Sequence, residues 1–181
     1  MKVELDGSPW RTVPVDVVLA AGLYVGLVLD RQRLRVIRRE LRSREALSRA
    51  SRLLARRDLT EQGLDAELQR RRVAPAARRA TVSRLRQAGA VDDARLAHRR
   101  AEVLARRGAG NLLIRADLES RGVAAELVEA AVEALPAERD RVQAIVSTRG
   151  SGPATARYLA RRGFDDDAIE ASLDGSIAQS G

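Results

Sequence analysis

Two acidic clusters, one histidine and a set of paired arginines are the residues of this chain whose types and spacing could do chemistry. Asp92-Asp93 and Asp165-Asp166-Asp167 invite a metal or acid–base reading, because adjacent carboxylates can bind cations or carry protons. Neither is joined by a third and fourth ligand at suitable spacing, and both stand just before an expected helix. There a carboxylate satisfies free backbone N–H groups and opposes the helix dipole, so capping is the preferred reading. His98, the sole histidine, would have to be the base of any Ser/His/Asp or Cys/His arrangement. It lies inside a charged helical stretch beside Arg99 and Arg100, where a surface role fits better. Gly108-Ala-Gly110 and Gly150-Ser-Gly152 lack the Gly-Lys-Ser/Thr ending of a phosphate-binding loop and follow no strand, so they read as linkers between helices. No catalytic residue, metal site or cofactor is expected, and the chain is read as non-enzymatic.

The arginines point elsewhere. Net charge is +8, and 32 of the 33 basic residues are Arg. The preference for Arg over Lys follows codon usage in a GC-rich genome, but its placement is informative. Residues 1–30 carry two basic and four acidic side chains, residues 31–60 eleven and three, and residues 61–91 seven and three. Residues 92–136 and 137–181 each carry one net negative charge. The whole excess therefore sits between Arg31 and Val91. A localised excess attracts a polyanion, and Arg adds bidentate phosphate contacts. Arg56-Arg57, Arg70-Arg71-Arg72, Arg106-Arg107 and Arg161-Arg162 are the candidate contacts to nucleic acid or to an acidic protein groove. The plainer alternative is Arg at helix C-termini complementing the dipole, worth a few tenths, roughly 0.3 kcal/mol each. Stacking aromatics are too few for a single-strand platform. Asn and Gln are sparse where a base-reading helix would need them, although a helix-turn-helix has a similar outline.

The elements that must position these residues are helical. Hydrophobic residues make up 45% of the chain and aromatics only 2%, so the core is Ala, Leu, Val and Ile, which suits closely spaced helices. There is no cysteine, hence no disulfide and no thiolate metal site. The longest nearly apolar stretch, residues 17–29, is shorter than the roughly 20 residues of a membrane span, and it lacks a signal-peptide pattern. A cytoplasmic protein with no membrane partner is expected.

Val3–Leu5 and Trp10–Val13 read as short strands around Asp6-Gly7-Ser8-Pro9, a hairpin turn signal. Residues 15–21 suit a short helix, and residues 23–29 a third strand or an apolar turn. From Arg31 onward apolar residues recur at helical intervals, and Gly and Pro punctuate short helices. An internal repeat then emerges. Leu68-Gln-Arg-Arg-Arg-Val73, Leu118-Glu-Ser-Arg-Gly-Val123 and Leu159-Ala-Arg-Arg-Gly-Phe164 share a leucine anchor and an apolar residue five positions on. Another apolar position follows nine residues later, at Val82, Val132 and Leu173, and each copy is preceded by a helix closing on a basic residue. In each unit the middle helix closes at a Gly that can take the left-handed conformation, except the first, which has Arg72 there. The predicted architecture is mainly α: a small N-terminal α/β lead-in over 1–43, then three-helix repeats over 44–91, 92–136 and 137–176.

These residues resemble the RecX family. The resemblance is carried by Leu54-Ala-Arg-Arg-Asp-Leu-Thr60 leading to Leu64 and Leu68, and by Leu85-Arg-Gln-Ala-Gly89-Ala-Val91-Asp92-Asp93-Ala94-Arg95-Leu96-Ala97. Leu118-Glu-Ser-Arg-Gly122-Val123 and Arg161-Arg162-Gly163-Phe164 complete it, over roughly residues 45–173. Gly89, Asp92, Asp93, Arg95, Gly122 and Gly163 are its motif positions, in a structural role. The family usually has aromatics around the Asp-Asp pair, where this chain has Ala90 and Leu96. The resemblance implies tandem three-helix repeats in an elongated curved array lying in the groove of a RecA filament. It implies a monomer that binds RecA and RecA–DNA filaments and meets single- or double-stranded DNA mainly in complex with RecA. Such a protein inhibits the recombinase, ATPase and coprotease activities of RecA, modulating DNA repair, recombination and the SOS response. The alternative is an independent DNA-binding helical repeat protein without sequence specificity.

Overall fold

The computed structural model describes residues 1–178, with side-chain surroundings through Leu173. Contacts group the chain into two units, Met1–Arg57 with Leu64–Ala88, and Asp58–Gly63 with the chain from Gly89 onward.

In the first unit, β1 (Lys2–Leu5) and β2 (Ser8–Thr12) form an antiparallel ribbon whose register shifts between Val3 and Glu4. The turn is shorter than the sequence suggests. Asp6 and Gly7 both have positive φ, 50° and 76°, the geometry a two-residue hairpin loop requires. Pro9 is thereby drawn into β2, which a strand on the edge of a sheet tolerates. After Pro14, α1 (Val15–Ala20) packs Val17 and Val18 with Val13 against Val3, Trp10, Leu23 and Leu41. No strand forms over 23–29. Gly22 and Gly26 sit at φ 60° and 87°, interrupting any extended run.

Asp30 then caps α2 (Arg31–Leu54), accepting from the Arg33 N–H at 2.7 Å. Ile37, Ala46, Ala50 and Leu53 give this 24-residue helix its buried stripe. It runs unbroken through 43 and 44, where the sequence reading places a domain boundary. Next come α3 (Glu61–Arg70) and α4 (Pro75–Gln87), the latter packed on α2.

The second unit contains α5 (Asp93–Arg106), α6 (Asn111–Ser120), α7 (Ala125–Glu133), α8 (Glu138–Arg149), α9 (Pro153–Arg161) and α10 (Asp166–Ala178). Ala97, Ala101, Ile114, Leu118 and Val128 form one core cluster, and Val142, Val146, Leu159, Phe164 and Ile169 another. Aligned on Leu68, Leu118 and Leu159, all fully buried, the short helices repeat as the sequence predicts.

One local motif recurs at the same place in each of the three repeats. The N–H groups of Val73, Val123 and Phe164 bond the carbonyls of Leu68, Leu118 and Leu159 at 3.1–3.2 Å. The residue before each, Arg72, Gly122 or Gly163, has φ of 57°, 77° or 75° and bonds the carbonyl three residues back. This Schellman closure satisfies carbonyls left open at the helix end and turns the next apolar residue onto the core.

Candidate functional site

Position along the repeat decides what each arginine does. Four residues before Arg71, Arg121 and Arg162 stand Glu67, Asp117 and Tyr158. Glu67, 7% exposed, collects Arg57, Arg70 and Arg71, with Arg70 at 2.6 Å. The Arg71 hydrogen bond, with the nearby charges of Arg70 and Arg71, holds this carboxyl below its ordinary range. Asp117 takes a fork from Arg100, at 2.7 and 2.9 Å, and a bond from Arg121 at 2.8 Å. The Arg100 contact above all pulls the Asp117 carboxyl down to about 2.

The third repeat has no acid there. The Arg149 guanidinium lies 4.2 Å from the Tyr158 ring centroid, a cation–π contact. Arg162, without a carboxylate four residues back, turns to the loop before α6. Its Nε donates to the Gly108 carbonyl at 2.8 Å and its Nη2 to that of Arg107. The Gly110 and Leu112 N–H groups donate in return to the carbonyls of Arg162 and Gly163, at 2.8 and 3.0 Å. Within the same unit, Thr60 Oγ1 donates to the matching carbonyl of Arg121 at 2.6 Å.

The Asp-Asp motif belongs to this system of junctions. Asp92 caps its own helix through the Arg95 N–H at 2.9 Å, and Arg95 Nη2 closes the loop on the Gly89 carbonyl at 3.0 Å. Gly89 holds φ 66°. Asp93 does something else: it accepts from the N–H of Glu61, the first residue of α3, at 2.9 Å. Burial pushes its carboxyl above the usual value. Glu138, the first residue of α8, repeats the contact on the N–H of Asn111, the first residue of α6, at 2.7 Å. Arg141 lies alongside, donating to the Ala109 carbonyl at 2.8 Å and to Asn111 Oδ1.

The sequence-derived basic candidates therefore separate. Arg57, Arg70 and Arg71 converge on Glu67, Arg106 pairs with Glu102 at 3.5 Å, and Arg162 is bonded to backbone. Arg56, Arg72, Arg107 and Arg161 are exposed and pair with no carboxylate among the described residues. Sequence reasoning passed over a further set. Arg42 and Arg49 lie seven residues apart on α2, with Arg52 a turn beyond them, and Arg56, already a candidate, lies seven further on in the turn that follows the helix. Arg42, Arg49 and Arg72 help line a cavity of 390 Å³, and Arg49, Arg52, Arg56 and Arg71 a second of 330 Å³. Arg49 is held in place, with Nη1 on the Arg71 carbonyl at 2.8 Å and Nη2 on Glu45 at 2.5 Å. The seven-residue spacing was the available signal.

Among the described residues no group of three or more His, Cys, Asp or Glu could hold a metal ion. Among them, too, no helix is long and apolar enough to cross a membrane.

Comparison with known proteins gives a consistent picture. The family described as RecX, second three-helix domain, matches residues 92–132. Regulatory protein RecX of Stenotrophomonas maltophilia is 32% identical over 142 residues, covering 73% of this chain and 87% of that protein. Regulatory protein RecX of Deinococcus radiodurans is 35% identical over 141 residues, covering 72% and 68%. The crystal structure of a regulatory protein RecX superposes with a TM-score of 0.80 at 19% identity, over 96% of this chain and 92% of that one. RecX from Lactobacillus salivarius superposes with a TM-score of 0.66 at 12% identity, over 76% and 97%. At these identities the structural likeness speaks for the fold.

Proposed function

The chain belongs to the RecX family of regulatory proteins, and from that premise we propose that it binds RecA and RecA–DNA filaments and restrains them. The observation that carries this reading is the arginine left without carboxylate partners on α2 and its neighbouring turn, in a chain otherwise built of helical repeats. A filament repeats the same protomer surface at regular intervals, and tandem repeats address successive protomers through several weak contacts whose effects multiply. The basic first unit meets acidic RecA surface or DNA phosphate within the filament groove, and the bound chain obstructs added protomers and incoming DNA. Recombinase, ATPase and coprotease outputs fall together, which damps recombination, DNA repair signalling and the SOS response. The protein acts as a cytoplasmic monomer, without catalysis or cofactor.

Co-sedimentation with RecA-coated single-stranded DNA, run beside naked single-stranded DNA, tests this. Retention on the coated strand should be much the stronger, with weak binding to bare DNA. Equal retention on both, with a log-affinity against log-salt slope steeper than about −4, would instead mark an independent DNA-binding protein.

A further inference from the structure

We infer that the groove between α2 and the turn after α3 seats the phosphodiester backbone of nucleic acid and is indifferent to base sequence. This rests on the proposed function and names the chemistry that its basic unit recognises. Where the fold needs arginine for itself, it supplies a carboxylate or a carbonyl: Glu67 for Arg57, Arg70 and Arg71, and Asp117 for Arg100 and Arg121. The groove breaks that pattern. Arg42, Arg52, Arg56 and Arg72 face it with no carboxylate partner among the described residues. Unneutralised guanidinium groups around a concave surface repel one another unless an anion joins them, and their forked donors match phosphate oxygens.

Spacing favours a polymer over an isolated anion. Arg42 and Arg49 succeed one another after two turns of α2, roughly 10.5 Å along the axis at 1.5 Å per residue, and Arg56 follows in the turn beyond its end. A strand of duplex DNA advances about 3.4 Å per nucleotide along its axis, so Arg42 and Arg49 stand about three nucleotides apart. Arg49 is fixed beforehand by Glu45 and by the Arg71 carbonyl, which lowers the ordering cost of contact. No Asn, Gln or aromatic side chain lines either cavity. Without aromatics the groove cannot stack bases, and contacts made to phosphate carry no sequence information.

The test is fluorescence anisotropy of the full chain with two single-stranded oligonucleotides of unrelated sequence, titrated with salt in the absence of RecA. The parent should bind both alike. The triple variant Arg42→Ala, Arg52→Ala, Arg56→Ala should weaken both equally and flatten the log–log salt slope by about two units, near 0.7 per lost phosphate contact. The corresponding triple Lys variant, which keeps charge at the same three positions, should retain most of the slope and guards against misfolding. No binding by the parent at low salt, or an unchanged slope in the Ala variant, overturns the proposal. RecA-filament retention of the Ala variant separates the two readings. Retention lost while the DNA slope is unchanged overturns the groove and assigns it to an acidic protein surface. A flattened slope with retention intact supports the groove and counts against its use on filaments.

Discussion

Gly110 and Gly152 occupy the same place in successive repeats, just before the middle helix, yet only Gly110 is covered. A Cβ built on Gly110 would overlap the Gly163 carbonyl and the Phe164 nitrogen, whereas one on Gly152 would meet nothing within 4 Å. The turns across from this loop differ in the same sense. At Gly163 a Cβ would lie 2.7 Å from the Leu113 nitrogen, but the first repeat carries Arg72 at that position with φ 57°. All three turns make the same closing hydrogen bonds. Glycine at Gly163 is therefore set by the neighbour packed on it rather than by the closure alone. Where no Leu113 counterpart presses, the first repeat accepts an arginine and its left-handed backbone. Its preceding carbonyl, Arg71, takes its bond from Arg49 of the same unit, where Arg121 takes one from Thr60 and Arg162 one from Gly110.

The sharpest way to break this comparison is a matched pair of substitutions. Gly110→Ala should cost about 3 kcal/mol, because its φ of −78° suits alanine and only the overlap opposes it. Gly152→Ala, with φ −76°, should stay within about 0.5 kcal/mol in the same urea titration. Equal losses would mean that backbone conformation, and not coverage, selects the glycine.

Next in size is Arg162→Ala, which leaves the Arg107 and Gly108 carbonyls without their donor and should cost about 2 kcal/mol. Arg121→Ala removes a partly exposed ion pair and should cost less than about 1 kcal/mol. Comparable losses by chemical denaturation would deny the two arginines different work.

Acid should expose the same contrast. The Asp117 carboxyl ionises near 2 in the folded chain, below its ordinary value of 3.8, so its stabilisation is complete above about pH 4 and is lost as pH falls towards 2. Asp117→Asn should remove about 1 to 2 kcal/mol of stability at pH 7 and flatten the acid limb of the stability–pH curve. An unchanged acid limb would mean that Arg100 and Arg121 do not hold it.

The smallest effect has the opposite sign. Arg72→Gly should stabilise by up to about 1 kcal/mol, the usual penalty of a left-handed residue with a Cβ, read as a Tm raised by a few degrees. A fall in Tm would show that the Arg72 side chain contributes more than its backbone costs.

Much of the fold was legible because it is written locally. The Leu68, Leu118 and Leu159 anchors, the turns after them and the Pro75 start of α4 depend on hydrogen bonds and packing within a few residues. The divergent duties of the arginines were not legible from the pairs themselves. Tyr158 in place of an acid signals that Arg162 lacks its usual partner, but the carbonyls it finds are 54 and 55 residues away. Asp93 looked like a cap for its own helix and instead caps one 32 residues earlier. The α2 stripe was visible as a seven-residue spacing, but adjacent Arg-Arg pairs drew the reading away from it. The apolar run before α2 was ambiguous because its two left-handed glycines break a strand without leaving a periodic trace.

α3 and α6 each open on an N–H that a later acid grips, Asp93 or Glu138, whereas α9 opens on Pro153, which has no proton to offer. A duplicated cassette of residues 93–136 grafted behind α10 would present its leading carboxylate to a nitrogen unable to donate. Spliced between Pro136 and α8, the same cassette would find an Asn111-type donor ahead of it and a Glu138-type acceptor behind. Copy number in this chain is thus editable from the middle and shut at its last repeat.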